Sequence, residues 1–198
     1  MLLLDPQTQQ PASEQRILLH EVSWEEYLRL SDVFIDSFPR IHYLEGTLEL
    51  IMSHSSEHER LKTIIARLLE TYAMERRLEL NGYGNTTFRR QVAQRGAEPD
   101  ECYCLGVLGN VPDIVLEVVL TSGGIEKLSL YGGLGISEVW FWEEGEFRLY
   151  CWQGGDYILR DRSVLLPDLD FSLLSQFVGY ENQTEAAIAF RDALNLEN

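Results

Sequence analysis

One acid in this chain stands where acids are costly. Glu117 is the only charged residue in the run Ile114-Val115-Leu116-Glu117-Val118-Val119-Leu120. That run is apolar and rich in β-branched residues, the pattern of a fully buried strand. An ionised carboxylate left there alone either destabilises the fold or drives its own pKa upward. A bound cation resolves the conflict most simply, and a buried arginine is the structural alternative. Asp100, within Glu98-Pro99-Asp100, and Lys127, ten residues beyond Glu117, are placed to complete such a site. The lysine is conspicuous, because the chain has two lysines against fourteen arginines.

Those residue types suit metal-dependent cleavage of phosphodiesters. Carboxylates hold Mg²⁺ or Mn²⁺ by oxygen, the ion keeps water that can become the nucleophile, and a nearby lysine stabilises the charge that develops on phosphate. Sixteen residues separate Asp100 from Glu117, room for a strand, a connection and a returning strand. Neighbouring strands lie about 4.8 Å apart, so the two carboxylates could share one ion. The backbone carbonyl of Val118 is a further candidate ligand. Asp113 and Glu117 would share a face but lie about 13 Å apart along one strand, so they cannot hold the same ion. Asp113 reads as a residue at the strand's start.

The surrounding pattern shows what must position these groups. Ser23-Trp24-Glu25-Glu26 fits a capping box opening a short helix. Arg40–Leu44, a Glu45-Gly46 turn and Thr47–Met52 read as a hairpin. Alternation there groups Leu48, Leu50 and Met52 on one face and Thr47, Glu49 and Ile51 on the other, ordinarily a solvent face. A long helix is expected over 56–79, with Leu61, Ile64, Ile65, Leu68, Leu69 and Tyr72 in one buried stripe. Strands follow near 78–80, 86–92, 99–105 and 112–120. A short helix spans about 125–131 between Gly123-Gly124 and Gly132-Gly133. A closing meander covers 138–142, 147–153 and 157–159, and a last helix runs near 184–194. Residues 1–15 read as a frayed terminus and 16–198 as one α+β domain, a mixed sheet with a long helix packed across it.

Composition sets the bounds. At 198 residues and 45% hydrophobic content the chain can bury one substantial core. No apolar run reaches the ~20 residues of a membrane span, and Met-Leu-Leu-Leu lacks the features of a signal peptide, so a cytoplasmic protein is expected. Cys102 and Cys104 lack the second pair a zinc site needs. A formal charge of −16 argues against broad, non-specific adhesion to nucleic acid, but not against a small cleft filled by a divalent ion. Ser122, in Thr-Ser-Gly-Gly, is not in a nucleophile elbow, and no phosphate-binding glycine loop is present.

Pro99-Asp100 followed by Glu117-Val-Val and a downstream lysine resembles the PD-(D/E)XK nuclease arrangement. Several stretches are more specifically similar to the Uma2 family of restriction-type endonucleases. These are Gly46-Thr-Leu-Glu49 with Ile51-Met52-Ser53, Glu57-His58-Glu59, Glu98-Pro99-Asp100-Glu101, Pro112–Val118, Lys127-x-x-x-Tyr131 and Gly135–Trp142. The resemblance implies a restriction-endonuclease-like core and a metal-dependent endonuclease acting on DNA. It implies Asp100 and Glu117 as metal ligands, Lys127 as the catalytic lysine, and Glu49 and His58 as upstream members of the site, with Glu49 expected as a third ligand to the metal. The lysine of the E-x-K pattern would fall at position 119, which is Val, so Lys127 must reach the site from the helix that follows.

Two other readings remain open on the residues alone. The fold could serve as a binding or assembly module without activity, or the site could hydrolyse a small phosphodiester or nucleotide, which suits an acidic surface. Tyr131, Trp140 and Trp142 read as core aromatics. An exposed sheet edge could support a homodimer.

Overall fold

A computed structural model of the chain describes residues 15–34, 39–52, 55–84, 86–120 and 126–196. Eleven strands and five helices follow one another among them. They are β1 (Arg16–Leu19), α1 (Trp24–Val33), β2 (Arg40–Leu44), β3 (Thr47–Ile51), α2 (Ser56–Arg76), β4 (Leu80–Gly82), β5 (Phe88–Arg90), β6 (Arg95–Ala97) and β7 (Glu101–Leu105). The remainder are β8 (Ile114–Val119), α3 (Lys127–Leu134), β9 (Glu138–Glu143), β10 (Glu146–Gln153), β11 (Asp156–Arg160), α4 (Phe171–Val178) and α5 (Gln183–Leu196).

The strands form two sheets where the sequence suggested one. The first has the order β1-β3-β2-β6-β5 and is antiparallel throughout; the second has the order β11-β10-β9-β8-β7-β4. The second sheet is mixed because β8 and β9 run parallel. Parallel neighbours need a crossover, and α3 lies in it. β9, β10 and β11 then make the closing antiparallel meander.

The period-two alternation of β8 divides the protein into two layers. Ile114, Leu116 and Val118 join the large core under α2, α4 and α5, with Leu61, Ile64, Ile65, Leu68 and Tyr72 of the α2 stripe. Val115 faces the other way, into a smaller core with Leu130, Tyr131 and Leu134 of α3 and Phe88 and Ala97 of the first sheet. Glu117 shares the parity of Val115 and points into this second layer. A third core packs α1 on the outer face of the first sheet through Trp24, Tyr27, Ile41, Tyr43 and Leu48. The alternate residues Arg40, His42 and Glu49 therefore face inward, toward β8 and α3.

Local signals explain most boundaries. The capping box of α1 is present: the Ser23 side chain accepts from Glu26 N, and the Glu26 carboxylate accepts from Ser23 N at 2.8 Å. Helix α2 ends at Arg76, short of the expected 79, because Arg77 turns left-handed at φ 54° and Leu78 N then reaches back to Ala73 O. The strand expected over 86–92 is cut to Phe88–Arg90 by a short 3₁₀ turn and then pairs with β6, which the pattern did not reveal. Gly132 and Gly133 do not end α3. The helix continues to Leu134 and closes at Gly135, φ 91°. The two inner glycines serve close packing: a Cβ on Gly132 would lie 2.7 Å from the Trp152 ring, and one on Gly133 would lie 2.6 Å from the Arg95 side chain. The expected break at Gly123-Gly124 lies outside the described residues, as do positions 1–14 of the expected frayed terminus.

Candidate active site

Asp100 sits just before β7, where the second sheet splits. β7 pairs with β8 from Glu101 opposite Leu116; past that point the β7 side of β8 has no strand partner among the described residues. Val118 N, which would otherwise be orphaned, donates to Asp100 Oδ2 at 2.7 Å. The same oxygen lies 3.2 Å from His58 Nε2, in the first turn of α2, and Oδ1 accepts from Arg40 Nη1 at 2.5 Å. Asp100 is 1% exposed. Burial alone would raise its pKa, but the Arg40 charge, His58 and the Val118 amide overcome this and hold it well below the usual carboxylate range. Burial likewise opposes the Arg40 charge, which Asp100 and Glu117 together more than restore.

Glu117 is met from α3. Lys127 is the first residue of that helix, and Tyr131 is one turn later on the same face. Lys127 Nζ lies 3.1 Å from Glu117 Oε1, and the Tyr131 hydroxyl donates to the same oxygen. Burial and the neighbouring Glu117 charge push the Tyr131 phenol well above its ordinary pKa, so it stays a donor. A cation at a helix N-terminus opposes the helix dipole; here Glu117 offsets that placement, while Glu126 caps the helix through Leu128 N and Ser129 N.

The first sheet supplies the remaining wall. The two-residue turn at Glu45-Gly46 sets the register that places His42 opposite Glu49. Both are 0% exposed. His42 Nδ1 is 3.2 Å from Glu49 Oε2 and 2.9 Å from Lys127 Nζ, while Nε2 is 3.1 Å from the Glu98 carbonyl. The other oxygen of Glu49 faces Arg16 at 3.4 Å. Burial raises the Glu49 pKa, but His42, Lys127 and Arg16 bring it below the ordinary value.

Asp100, Glu117, Lys127, His58 and Glu49 thus converge on one buried region, with Val118 bridging the first two. Glu49 belongs to its far side, behind His42, and is not the solvent-face residue that alternation suggested. Arg40, His42 and the Tyr131 hydroxyl were missed as site members. The signals were available for two of them: hairpin register for His42, and the four-residue spacing to Lys127 for Tyr131. Trp140 and Trp142 are core, packed edge-on against Phe171 and Phe147. Asp113 accepts from Leu105 N at 2.8 Å and ties β8 to β7 at the strand's start. Arg89 pairs with Asp32 and Ser31, away from this cluster.

The donors fit a hard divalent cation by type, being carboxylate oxygens beside a stretch of strand that, among the described residues, has no partner on its β7 side. A carboxylate offers about four lone-pair sites. Asp100 uses three on Arg40, His58 and Val118, and both contacts of Glu117 fall on Oε1. Each acid therefore retains acceptor capacity. Among the described residues no three His, Cys, Asp or Glu side chains are grouped closely enough to hold an ion on their own, so an ion here would complete its shell with water or substrate.

The Uma2 family, described as putative restriction endonucleases, matches residues 24–185. The chain belongs to the Uma2 family. A crystal structure from Anabaena variabilis ATCC 29413, described as a putative nuclease belonging to DUF820, has a similar fold at TM-score 0.50 and 13% identity, covering 71% of this chain and 92% of that one. The fold is restriction-endonuclease-like: a mixed sheet, a long helix packed on it and a closing β-meander. No curated protein matches the chain. No helix among the described residues is long and apolar enough to cross a membrane.

Proposed function

We propose that this Uma2 protein is a Mg²⁺- or Mn²⁺-dependent endonuclease that hydrolyses phosphodiester bonds in DNA. The observation that carries the proposal is the meeting of Lys127 Nζ with Glu117 Oε1 at 3.1 Å, beside an Asp100 tied to the same strand through Val118 N. That is two acids and one lysine, delivered to one place by three different elements. Asp100 and Glu117 would hold the ion, with the Val118 carbonyl as a further oxygen. Such an ion supplies a polarised water and counter-charge for phosphate.

The protein's own groups have separable tasks. Lys127 positions or activates the attacking water and stabilises the negative charge that develops on the phosphate. Tyr131 fixes the orientation of Glu117. His58 and Arg40 fix Asp100, and the Arg40 charge keeps that acid ionised. Glu49 holds His42 at the back of the site. A cytoplasmic enzyme paired across an exposed edge such as β11, where Ile158 and Leu159 are exposed, would suit cleavage of both strands.

Cleavage of supercoiled plasmid with Mg²⁺ or Mn²⁺, compared with hydrolysis of a small chromogenic phosphodiester, tests the reading. The expected result is plasmid cleavage that chelator abolishes and Lys127→Ala reduces at least about a hundredfold. Turnover of the small diester alone would replace DNA with a small phosphate substrate, the reading favoured by the −16 charge. Inactivity on both, without ion binding, would favour a non-catalytic module, a reading supported by the three contacts that Asp100 already makes with Arg40, His58 and Val118.

A further inference from the structure

We infer that β11 is a homodimer edge, two copies of the chain pairing antiparallel about a two-fold axis at Ile158. This gives a register to the edge pairing suggested above and does not depend on nuclease activity. β11 is the last strand of the second sheet, with no strand on its outer side among the described residues. Its five residues pair with β10 without a bulge and include no proline. Natural edges are usually blunted by shortness, bulges or proline. The other edges offer less: β4 and β5 are three residues long, and β1, Arg-Ile-Leu-Leu, carries charge of one sign only. Three large apolar side chains, Trp152, Ile158 and Leu159, are exposed along the β11 edge.

The hairpin sets the direction of the backbone groups. Two glycines at positive φ, Gly154 and Gly155, join Gln153 to Asp156, its partner in the ladder. The residues flanking a two-residue turn form a hydrogen-bonded pair, and such pairs alternate along an antiparallel ladder. Asp156, Ile158 and Arg160 therefore bond inward to β10, while Tyr157 and Leu159 turn their N–H and C=O groups outward. Two contacts agree with this. Trp152 N, opposite Tyr157, donates away from β11 to Ser137 O, and Tyr157 N is held by the Asp156 carboxylate at 2.8 Å.

One two-fold register uses these outward groups and also satisfies the charges. With Ile158 on the axis, Tyr157 of each copy exchanges backbone hydrogen bonds with Leu159 of the other. Asp156 then faces Arg160 of the second copy in a non-hydrogen-bonded pair, where Cα atoms lie about 4.5 Å apart and side chains meet most closely. An axis at Tyr157 would set Asp156 opposite Ile158, and an axis at Leu159 would set Arg160 there. Within its own chain neither charge has an ionic partner among the described residues. Arg160 donates to the neutral Gln153 amide, and Asp156 holds the Tyr157 N–H, which the Leu159 carbonyl of the second copy takes over. Tyr157 and Leu159 of opposite copies then pack on one face, and the two Ile158 side chains meet on the other. Repulsion between two chains of −16 is largely screened beyond about 8 Å at physiological salt, whereas these pairs act at contact.

Sedimentation velocity of the full chain over a range of concentrations, at about 0.15 M salt, would compare wild type, Asp156→Arg and Arg160→Asp, each checked for folding by circular dichroism. Each variant opposes like charges in its own dimer, which should weaken about tenfold or more. Mixing the two variants in equal amounts restores opposite charges in both pairs, so the mixture should dimerise about as tightly as wild type. Amide exchange of the wild type needs no variant. Exchange of the Leu159 N–H should slow as concentration rises, while that of Ile158, already bonded within the hairpin, should not change. A monomeric wild type, folded single variants that associate like wild type, or a mixture no tighter than its components would each overturn the inference. So would Leu159 exchange that ignores concentration. A dimer of this kind without nuclease activity would sink the nuclease reading alone.

Discussion

Two buried glutamates on neighbouring parallel strands, Glu117 on β8 and Glu138 on β9, are satisfied in opposite ways. Both are nearly sealed from solvent, at 4% and 1% exposure. Glu138 accepts four neutral donors spread over both oxygens: Trp140 Nε1 at 2.8 Å, Ser163 Oγ at 2.7 Å, Val164 N at 2.7 Å and Leu165 N at 2.9 Å. It thereby pins the 163–166 segment against the sheet. Glu117 instead takes a cation and a phenol on a single oxygen, beside a second acid that already holds an arginine. A carboxylate that ties up a loop is spent on structure. One that keeps an oxygen uncommitted beside a lysine can take part in chemistry. Burial alone does not separate the two, but the identity of the partners does.

The comparison can be broken by mutation, beginning with the largest effect. Glu138→Ala should leave buried donors without an acceptor and cost about 3 kcal/mol or more, seen as a lower denaturation midpoint, yet leave Mn²⁺ affinity of the folded protein unchanged. Asp100→Asn keeps the shape but removes the partner of a buried arginine, a loss of about 3 kcal/mol, and should also abolish ion binding. Gly133→Ala brings a methyl against Arg95, whose guanidinium is already held by Ala93 O, Gln94 O and Glu45. A loss of about 1–3 kcal/mol is expected, with reduced activity if α3 shifts Lys127.

Acid sharpens the contrast further. Asp100 and Glu49 have folded pKa values below their unfolded ones, so each contributes stability above about pH 4 that is lost as pH falls through the folded value. Thermal melts should therefore decline below about pH 4, and the decline should be shallower in Asp100→Asn. An identical acid slope in that variant would mean that Asp100 does not carry the charge assigned to it.

What the sequence made legible was what short-range physics controls. Ser23 and Glu26 announce a helix start, Glu45-Gly46 a hairpin, and the α2 stripe a buried face. Glu117 stood out because a charge interrupts an apolar run. Glu138 did not, because it lies at a strand's edge in the sequence, where charge is ordinary; only the return of residues 163–166 buries it. Arg40 read as the first residue of a hairpin, and its pairing with Asp100 spans sixty positions, a contact that no local pattern encodes. The division into two sheets escaped for the same reason, since β6, in the first sheet, is three residues long and defined by its partners. Lys127 stood out by type and spacing, whereas its approach to His42 spans eighty-five positions.

The most direct test of the central claim is calorimetric titration of Mn²⁺ into the wild type, Glu117→Gln and Glu138→Gln, with folding checked by circular dichroism. Saturable binding by the wild type, retained in folded Glu138→Gln and lost in folded Glu117→Gln, is the predicted result. Equal binding by folded wild type and Glu117→Gln, or none by the wild type with and without DNA, would contradict it.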